Sequence, residues 1–146
     1  MSARDDVLDH LETALTAITT DNGYYTTVKK VARGPLPYEE IANNCPFIAI
    51  IEGDETPLVT DATQIRFRSS VGLVLYVKGP NLLDMSKLIN ELADDVKTMI
   101  YTPVDLGDNG FSAAIMSSDI QISLTEKVAA GIMEIEVIYY ADIPTF

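Results

Sequence analysis

Successive side chains of a β-strand point to opposite faces, and the last segment of this chain follows that period closely. The apolar residues of one face are Met133, Ile135, Val137 and Tyr139. The opposite face begins with two glutamates and turns apolar at Ile138 and Tyr140. The sequence therefore predicts a strand over residues 132–144 whose end is covered by another subunit or by the N-terminal helix of the same chain.

The same period of two runs through residues 64–78. The apolar positions of this stretch are Ile65, Phe67, Val71, Leu73, Leu75 and Val77. All of them are odd-numbered, so they share one face of a single strand without a bulge. Arg66 and Arg68 fall on the opposite face.

Other segments predict the remaining strands and one long loop. Residues 24–31 are rich in Tyr, Thr and Val, which favour strands, and residues 47–51 are apolar on both faces, as in a central strand. Residues 115–125 alternate and predict a half-buried strand, which a hairpin over 126–131 joins to the final one. The acidic segment 53–62 contains Gly and Pro and is predicted to be a loop.

Two segments have the period of amphipathic helices. The first spans residues 2 to about 20, and the second follows the N-cap residue Asn81 and reaches about residue 100. The apolar stripe of the first helix is Leu8, Leu11, Leu15 and Ile18. Residues 38–44 predict a loop or a single helical turn, and residues 103–110 predict a turn-rich loop.

This order of elements predicts an α+β fold in which a mixed, mainly antiparallel sheet carries two helices on one face. A chain of 146 residues without repeat or linker fits a single domain over 1–146. Its apolar runs are shorter than the ~20 residues of a membrane helix, and no signal peptide is recognisable. We therefore expect a cytosolic protein that does not contact membranes.

The composition leaves little material for catalysis or metal binding. His10 and Cys45 are the only histidine and the only cysteine, so zinc sites, intrachain disulfides and Cys-His or Ser-His-Asp catalysis lack their residues. The neighbours Asp94 and Asp95 diverge on a helix, and segment 105–110 lacks the ligand spacing of an EF-hand. We expect no catalytic residue, no metal and no cofactor.

The net charge of −12 argues against nucleic-acid binding through phosphate contacts, which require clustered Lys and Arg. Most basic residues are scattered, but Arg66 and Arg68 share one face of a strand whose other face is apolar. Two interpretations are open for this pair. It is either a solvated strand face or an intersubunit contact with carboxylates of a neighbour, which guanidinium groups bind well.

The order of these segments resembles that of the tail terminator, or tail completion, proteins of long-tailed bacteriophages. The stretches that carry the resemblance are VLDHLETALTAI, GYYTTVKKVARG, CPFIAIIEGDE, RFRSSVGLVLYVKG, the helix from Leu82, and GIMEIEVIYYADIP. They span nearly the whole chain as a pattern of elements and contain no diagnostic motif. The neck and head-closure proteins of the same virions therefore stay an open alternative.

The resemblance implies a structural role without enzymatic activity. Tail terminators form a hexameric ring on the last ring of tail tube protein, end tail polymerisation and offer a surface for head or neck attachment. The implied partners are further copies of this chain, the tail tube protein and a neck or head-closure protein, with the tail sheath as a further candidate. The implied location is the tail–neck junction of the virion, after assembly in the host cytoplasm.

DNA would pass through the lumen of such a ring without specific binding. An acidic chain suits this passage, because a negative lumen weakly repels DNA. The predicted contact residues of the ring are Arg66, Arg68, Leu36, Tyr38, Glu39, Glu40, Asp54, Glu55, Asp61, Ile138, Tyr140, Ile143 and Phe146. They lie in segments 35–40 and 54–64, in the strands that begin near residues 64 and 132, and in the C-terminal tail 143–146.

A hypothesis of a different class is a small cytosolic enzyme that uses carboxylates or a metal ion. Carboxylates that converge in one deep cleft would favour the enzyme. Carboxylates spread over an annular surface would favour the ring.

Overall fold

The computed structural model describes residues 2–34, 36–60, 64–102, 110–121 and 128–142. Its elements are α1 (Ala3–Thr16), β1 (Lys30–Arg33), α2 (Tyr38–Asn43), β2 (Phe47–Thr60), β3 (Gln64–Lys78), α3 (Leu82–Tyr101), β4 (Gly110–Gln121) and β5 (Val128–Asp142), with a 3₁₀ turn at Thr20–Asn22. The strands form a five-stranded sheet in the order β1-β2-β3-β5-β4. Only β1 and β2 pair in parallel; the other neighbours are antiparallel. The predicted α+β class with a mixed, mainly antiparallel sheet is confirmed.

The two long helices pack on one face of the sheet, as predicted. Their apolar stripes form the main core together with the odd-numbered residues of β3 and β5. Members of this core include Leu8, Leu11, Leu15, Leu73, Leu75, Ile89, Leu92, Val96, Ile135 and Val137. The register between β3 and β5 is continuous from Gln64 to Lys78, which confirms a long strand without a bulge. The period of two thus places one whole face of both strands against the helices.

Both predicted helix starts are confirmed by their caps. The Ser2 hydroxyl accepts a hydrogen bond from the N–H of Asp5 at 3.1 Å, and the Asn81 side chain accepts one from the N–H of Asp84 at 2.9 Å. Each bond satisfies a donor that the first helical turn leaves without an intrahelical partner. The first helix is shorter than predicted and ends at Thr16.

Residues 24–29 do not form a strand, so this part of the prediction for 24–31 is wrong. The N–H groups of Tyr25 and Thr26 donate to the carboxylate of Asp95 on α3, at 3.0 and 2.8 Å. The N–H of Val28 donates to the carbonyl of Ile18. These donors are therefore occupied by other partners, and regular strand pairing begins only with β1.

The predicted loop over 53–62 is also wrong over residues 53–60, which continue β2. The register with β3 shifts between Glu52 and Glu55 and again between Pro57 and Val59. Such β-bulges let an irregular sequence follow a regular neighbouring strand. Residues 61 and 62 of that prediction lie outside the described ranges.

Beyond the end of β1, four strands continue together as an extension that we call the arm. It consists of residues 51–60 of β2, 64–70 of β3, 136–142 of β5 and 110–114 of β4. The arm lies at the end of the sheet where β2 has no partner on its outer side among the described strands. It contains six of the thirteen predicted contact residues, namely Arg66, Arg68, Asp54, Glu55, Ile138 and Tyr140.

The C-terminal hairpin pairs as predicted, since β4 and β5 are antiparallel neighbours. β4 begins earlier than predicted, at Gly110, and β5 begins at Val128, inside the segment 126–131 that was predicted to connect them. Residues 103–109 of the predicted loop, 122–125 of the predicted strand and 126–127 of the predicted connection lie outside the described ranges. No helix in the described ranges is long and apolar enough to cross a bilayer.

Candidate interaction surface

The face of the sheet opposite the long helices is covered at one end and open at the other. The short helix α2 covers the first end, where Ile41, Phe47 and Ala49 form a small buried cluster. We call the other end the open face. It carries even-numbered residues of the arm on β3 and β5 and, just before the arm on β5, Glu134. These residues are Arg66, Arg68 and Ser70 on β3 and Glu134, Glu136, Ile138 and Tyr140 on β5.

A cavity of about 310 Å³ lies on the open face. It is lined by Asp54, Thr56, Arg68, Ser70, Glu134, Ile135 and Glu136. One guanidinium group thus lies beside three carboxylates. The hydroxyl of Ser70 donates to the carboxylate of Glu134 at 2.8 Å, which fixes one wall of the cavity.

The two arginines of the open face have different surroundings. The guanidinium of Arg66 lies over the Tyr140 ring, 5.4 Å from its centroid, and donates to the Tyr140 hydroxyl at 3.2 Å. Arg68 is exposed, and its directly opposed cross-strand neighbours are Thr56 and Ile138. It makes no ion pair with any residue in the described ranges. Arg66 therefore contributes to the arm itself, and the charge of Arg68 faces solvent.

The base of the arm is held by two other arginines. Arg33 on β1 pairs with Asp5 at 3.0 Å and with Glu52 at 3.2 Å, and Arg4 on α1 donates to the carbonyl of Gly53. The hydrogen bond from Arg33 lowers the pKa of the Asp5 carboxyl group, and the same bond raises the pKa of Arg33. These contacts join α1, β1 and β2 at the point where the arm begins.

The neighbouring acids Asp54 and Glu55 point to different faces of the arm. Asp54 lines the cavity of the open face, whereas Glu55 accepts a hydrogen bond from the buried Tyr139 hydroxyl on the helix side. The Tyr139 ring stacks on Phe67 with 6.0 Å between centroids. The divergence separates the two carboxylates, so this pair cannot act on one reacting atom.

The end of β5 is covered on one face by its own chain. The start of α1 lies next to the stacked rings, since Ser2, Ala3 and Arg4 line one small pocket with Phe67 and Tyr139. On the opposite face, Ile138 and Tyr140 are half-buried. The sequence predicts that another subunit or the N-terminal helix covers the end of this strand. The N-terminal helix covers the face that carries Tyr139.

Residues 36–40 of the predicted contact segment 35–40 lie at the other end of the same sheet face, and residue 35 lies outside the described residues. Leu36 packs against the small cluster under α2, Glu40 pairs with Lys30 at 3.9 Å, and Glu39 is exposed. The structure does not bring these residues together with the arm. Asp61, Ile143 and Phe146 lie outside the described residues, as does the side chain of Tyr38.

Asp95 has a structural role that its sequence position beside Asp94 did not predict. It is only 2% exposed and accepts hydrogen bonds from Tyr25 and Thr26. Its neighbour Asp94 is exposed and pairs with Lys97 at 3.9 Å, so the predicted divergence of the two acids is confirmed. Its position in the helical period could have indicated burial, because Asp95 interrupts the apolar stripe of α3 three residues after Leu92.

The described residues contain no group of three or more His, Cys, Asp or Glu side chains that could hold a metal ion. The thiol of Cys45 donates to the carbonyl of Ile41 at 3.1 Å, and burial raises its pKa. The open face, with charges of both signs beside half-buried apolar side chains, is chemically suited to contact with another polypeptide.

No protein-family model and no curated protein matches this chain. Among solved structures, the fold is shared by a chain from the "virion of native gene transfer agent (GTA) particle", with a TM-score of 0.57 and 10% sequence identity. The match covers 88% of this chain and 90% of that chain. The fold thus places both chains in one class of small α+β proteins with helices on one face of the sheet.

Proposed function

We propose that this protein is a structural component of a phage or phage-like virion. The observation that carries the proposal is the shared fold with a chain of a gene transfer agent virion, which extends over 88% of one chain and 90% of the other. A match over nearly the full length of both chains goes well beyond a single supersecondary motif.

Within that class, we propose the role of a tail terminator. The protein forms a ring on the end of the tail tube, ends tail polymerisation and provides the surface to which the head or neck attaches. The support is the order of elements that resembles this family, the acidic composition of a chain with net charge −12, and the exposed charged surface of the arm. The proposal includes a structural, non-enzymatic role and a location at the tail–neck junction.

A neck or head-closure component is the second candidate. The neighbour is described by its particle and not by the position of the chain within that particle. The same shared fold therefore supports this candidate as well.

Deletion of the gene from a producing phage or host separates the two candidates. Loss of a tail terminator should give over-long tails that fail to join heads, which negative-stain electron microscopy measures as a length distribution. Tails of normal length that fail to join heads would indicate a neck component. Tails of normal length that still join heads would contradict both, and immunogold labelling of wild-type particles gives an independent location.

A further inference from the structure

We propose that the cavity around Arg68 binds the exposed face of α3 from a second copy of this chain. This exposed face consists of Leu83, Lys87, Asn90, Glu91 and Asp94. The inference rests on the proposed self-assembly into a ring and names the two surfaces that meet.

Arg68 differs from every other arginine of the chain. Arg4 and Arg33 hold the base of the arm, and Arg66 lies on Tyr140. Arg68 lines the cavity, exposed and without an ion-pair partner in the described ranges. A planar guanidinium group on a rigid strand is well suited to bind a carboxylate with two parallel hydrogen bonds.

The other charges of the cavity restrict what that carboxylate can belong to. Asp54, Glu134 and Glu136 line the same cavity as Arg68. A purely acidic partner would satisfy the arginine but place its remaining carboxylates against these three. Like charges brought together in this way oppose binding. The complementary surface therefore presents a carboxylate for Arg68 and, close by, a cation for the glutamates.

Among the described helices, α3 is the one that carries lysine. Lys87 and Glu91 are both exposed, and neither makes an ion pair within the described part of the chain. In contrast, α1 presents Asp6, Asp9 and Glu12 with no lysine beside them, so it would repel Glu134 and Glu136. Charge complementarity selects α3.

The spacing of the charges agrees with this choice. Residues four apart on a helix lie about 6 Å apart along its axis. Same-face residues two apart on a strand are separated by roughly 6.6 Å. Arg68 and Glu136 lie on neighbouring strands and differ by one same-face step in register, so their diagonal separation is about 7–8 Å. Glu91 can therefore meet Arg68 while the long side chain of Lys87 reaches Glu136.

The orientation of the two surfaces also fits repeated assembly. The buried side of α3, which includes Ile89, Leu92 and Val96, faces the sheet, so the exposed face of α3 points away from it. The open face lies on the opposite side of the same sheet. A contact between these two different surfaces is heterologous, and it closes into a ring when the rotation between copies allows.

Charge exchange tests the contact directly. Arg68→Glu should weaken self-association by roughly 10- to 100-fold, measured by sedimentation equilibrium at low ionic strength, because it replaces attraction by repulsion. Combining Arg68→Glu with Glu91→Arg should recover most of the loss. The matched control combines Arg68→Glu with Glu12→Arg on α1, which changes the net charge equally and should recover little. Circular dichroism checks that each variant is folded.

Cross-linking tests the same pair in assembled particles, where the state of the free protein does not matter. In a Cys45→Ser background, Arg68→Cys together with Glu91→Cys should give a cross-linked ladder of copies after treatment with a short bismaleimide, because an Arg–Glu pair holds its two backbones farther apart than a disulfide spans. Either cysteine alone should not. Particles that contain the protein but yield no ladder, or an Arg68→Glu variant that assembles like wild type, would overturn the inference.

These outcomes are separate from those of the proposed function. If the protein is found at the tail end but the charge exchange does not affect its assembly, the proposed function is supported and the proposed interface is rejected. If the charge exchange restores assembly but deletion of the gene leaves tail length and head joining normal, the proposed interface is supported and the proposed function is rejected.

Discussion

Thr26 donates its backbone N–H to the buried carboxylate of Asp95 at 2.8 Å, and its hydroxyl donates to the same oxygen. The two residues are 69 positions apart in the chain. This contact attaches the segment before β1 to α3 and replaces the strand that the local composition favours.

Asp95→Ala should therefore destabilise the protein by about 3 kcal/mol, because it leaves the donors of Tyr25 and Thr26 without their acceptor in a buried place. Chemical denaturation monitored by circular dichroism measures the change. Asp94→Ala is the control at the adjacent position. It removes only an exposed pair with Lys97 and should cost less than about 0.5 kcal/mol, so equal losses for both variants would contradict this account.

Gly53→Ala should destabilise the base of the arm. A Cβ at Gly53 would lie 2.6 Å from the backbone carbonyl oxygen of Ser70, which the strand cannot move without disturbing its pairing. We expect a loss of about 1–3 kcal/mol in the free energy of unfolding. Gly72→Ala offers the matched comparison, since its nearest neighbour, the Cβ of Ile51, would lie at 3.7 Å. A larger loss at Gly72 than at Gly53 would contradict the expected clash with the Ser70 carbonyl.

The ion pair between Asp5 and Arg33 should make stability depend on pH in the acid range. Arg33 lowers the pKa of Asp5 below its ordinary value of 3.8, so the folded state binds this proton less readily than the unfolded chain does. The resulting stabilisation is complete above that ordinary value and is lost as the pH falls through the lowered one.

Asp5→Asn removes the titrating carboxyl group, so comparing this variant with the wild type at several pH values measures its contribution to stability. The free energy of unfolding of the wild type should exceed that of the variant at neutral pH. The difference should shrink as the pH falls below the ordinary value of 3.8. If the difference in free energy of unfolding stays constant down to acid-induced unfolding, protonation of Asp5 does not weaken its ion pair with Arg33, and the prediction is wrong.

The single thiol of the chain should react slowly while the protein is folded. Burial raises the pKa of Cys45, so a smaller fraction is thiolate at a given pH, and the thiolate is the reactive form. Alkylation with iodoacetamide, followed by mass spectrometry, should be markedly faster in urea than in buffer. Equal rates in the two conditions would place the thiol in solvent.

Periodic segments were the part of the fold that residue order could predict. The strand over 64–78 and the helix from Leu82 came out as expected, because a single apolar face or stripe can be buried in only one way. The candidate site was predictable only in outline. Arg66 and Arg68 do share a strand face, but the pairing of Arg66 with Tyr140 depends on the register of β3 with β5, which neither strand reveals alone.

By itself, the sequence determined the α+β class, the long strands β3 and β5, the two main helices and their caps, because these depend on side-chain period and on neighbours within a few positions. The tertiary structure decided that segment 24–29 does not form a strand and that segment 53–60 does. In the first, the distant Asp95 supplies acceptors that compete with strand pairing. In the second, the neighbouring β3 provides backbone partners for a bulged strand. Hydrogen-bond partners brought together only by folding outweighed local preference in both places.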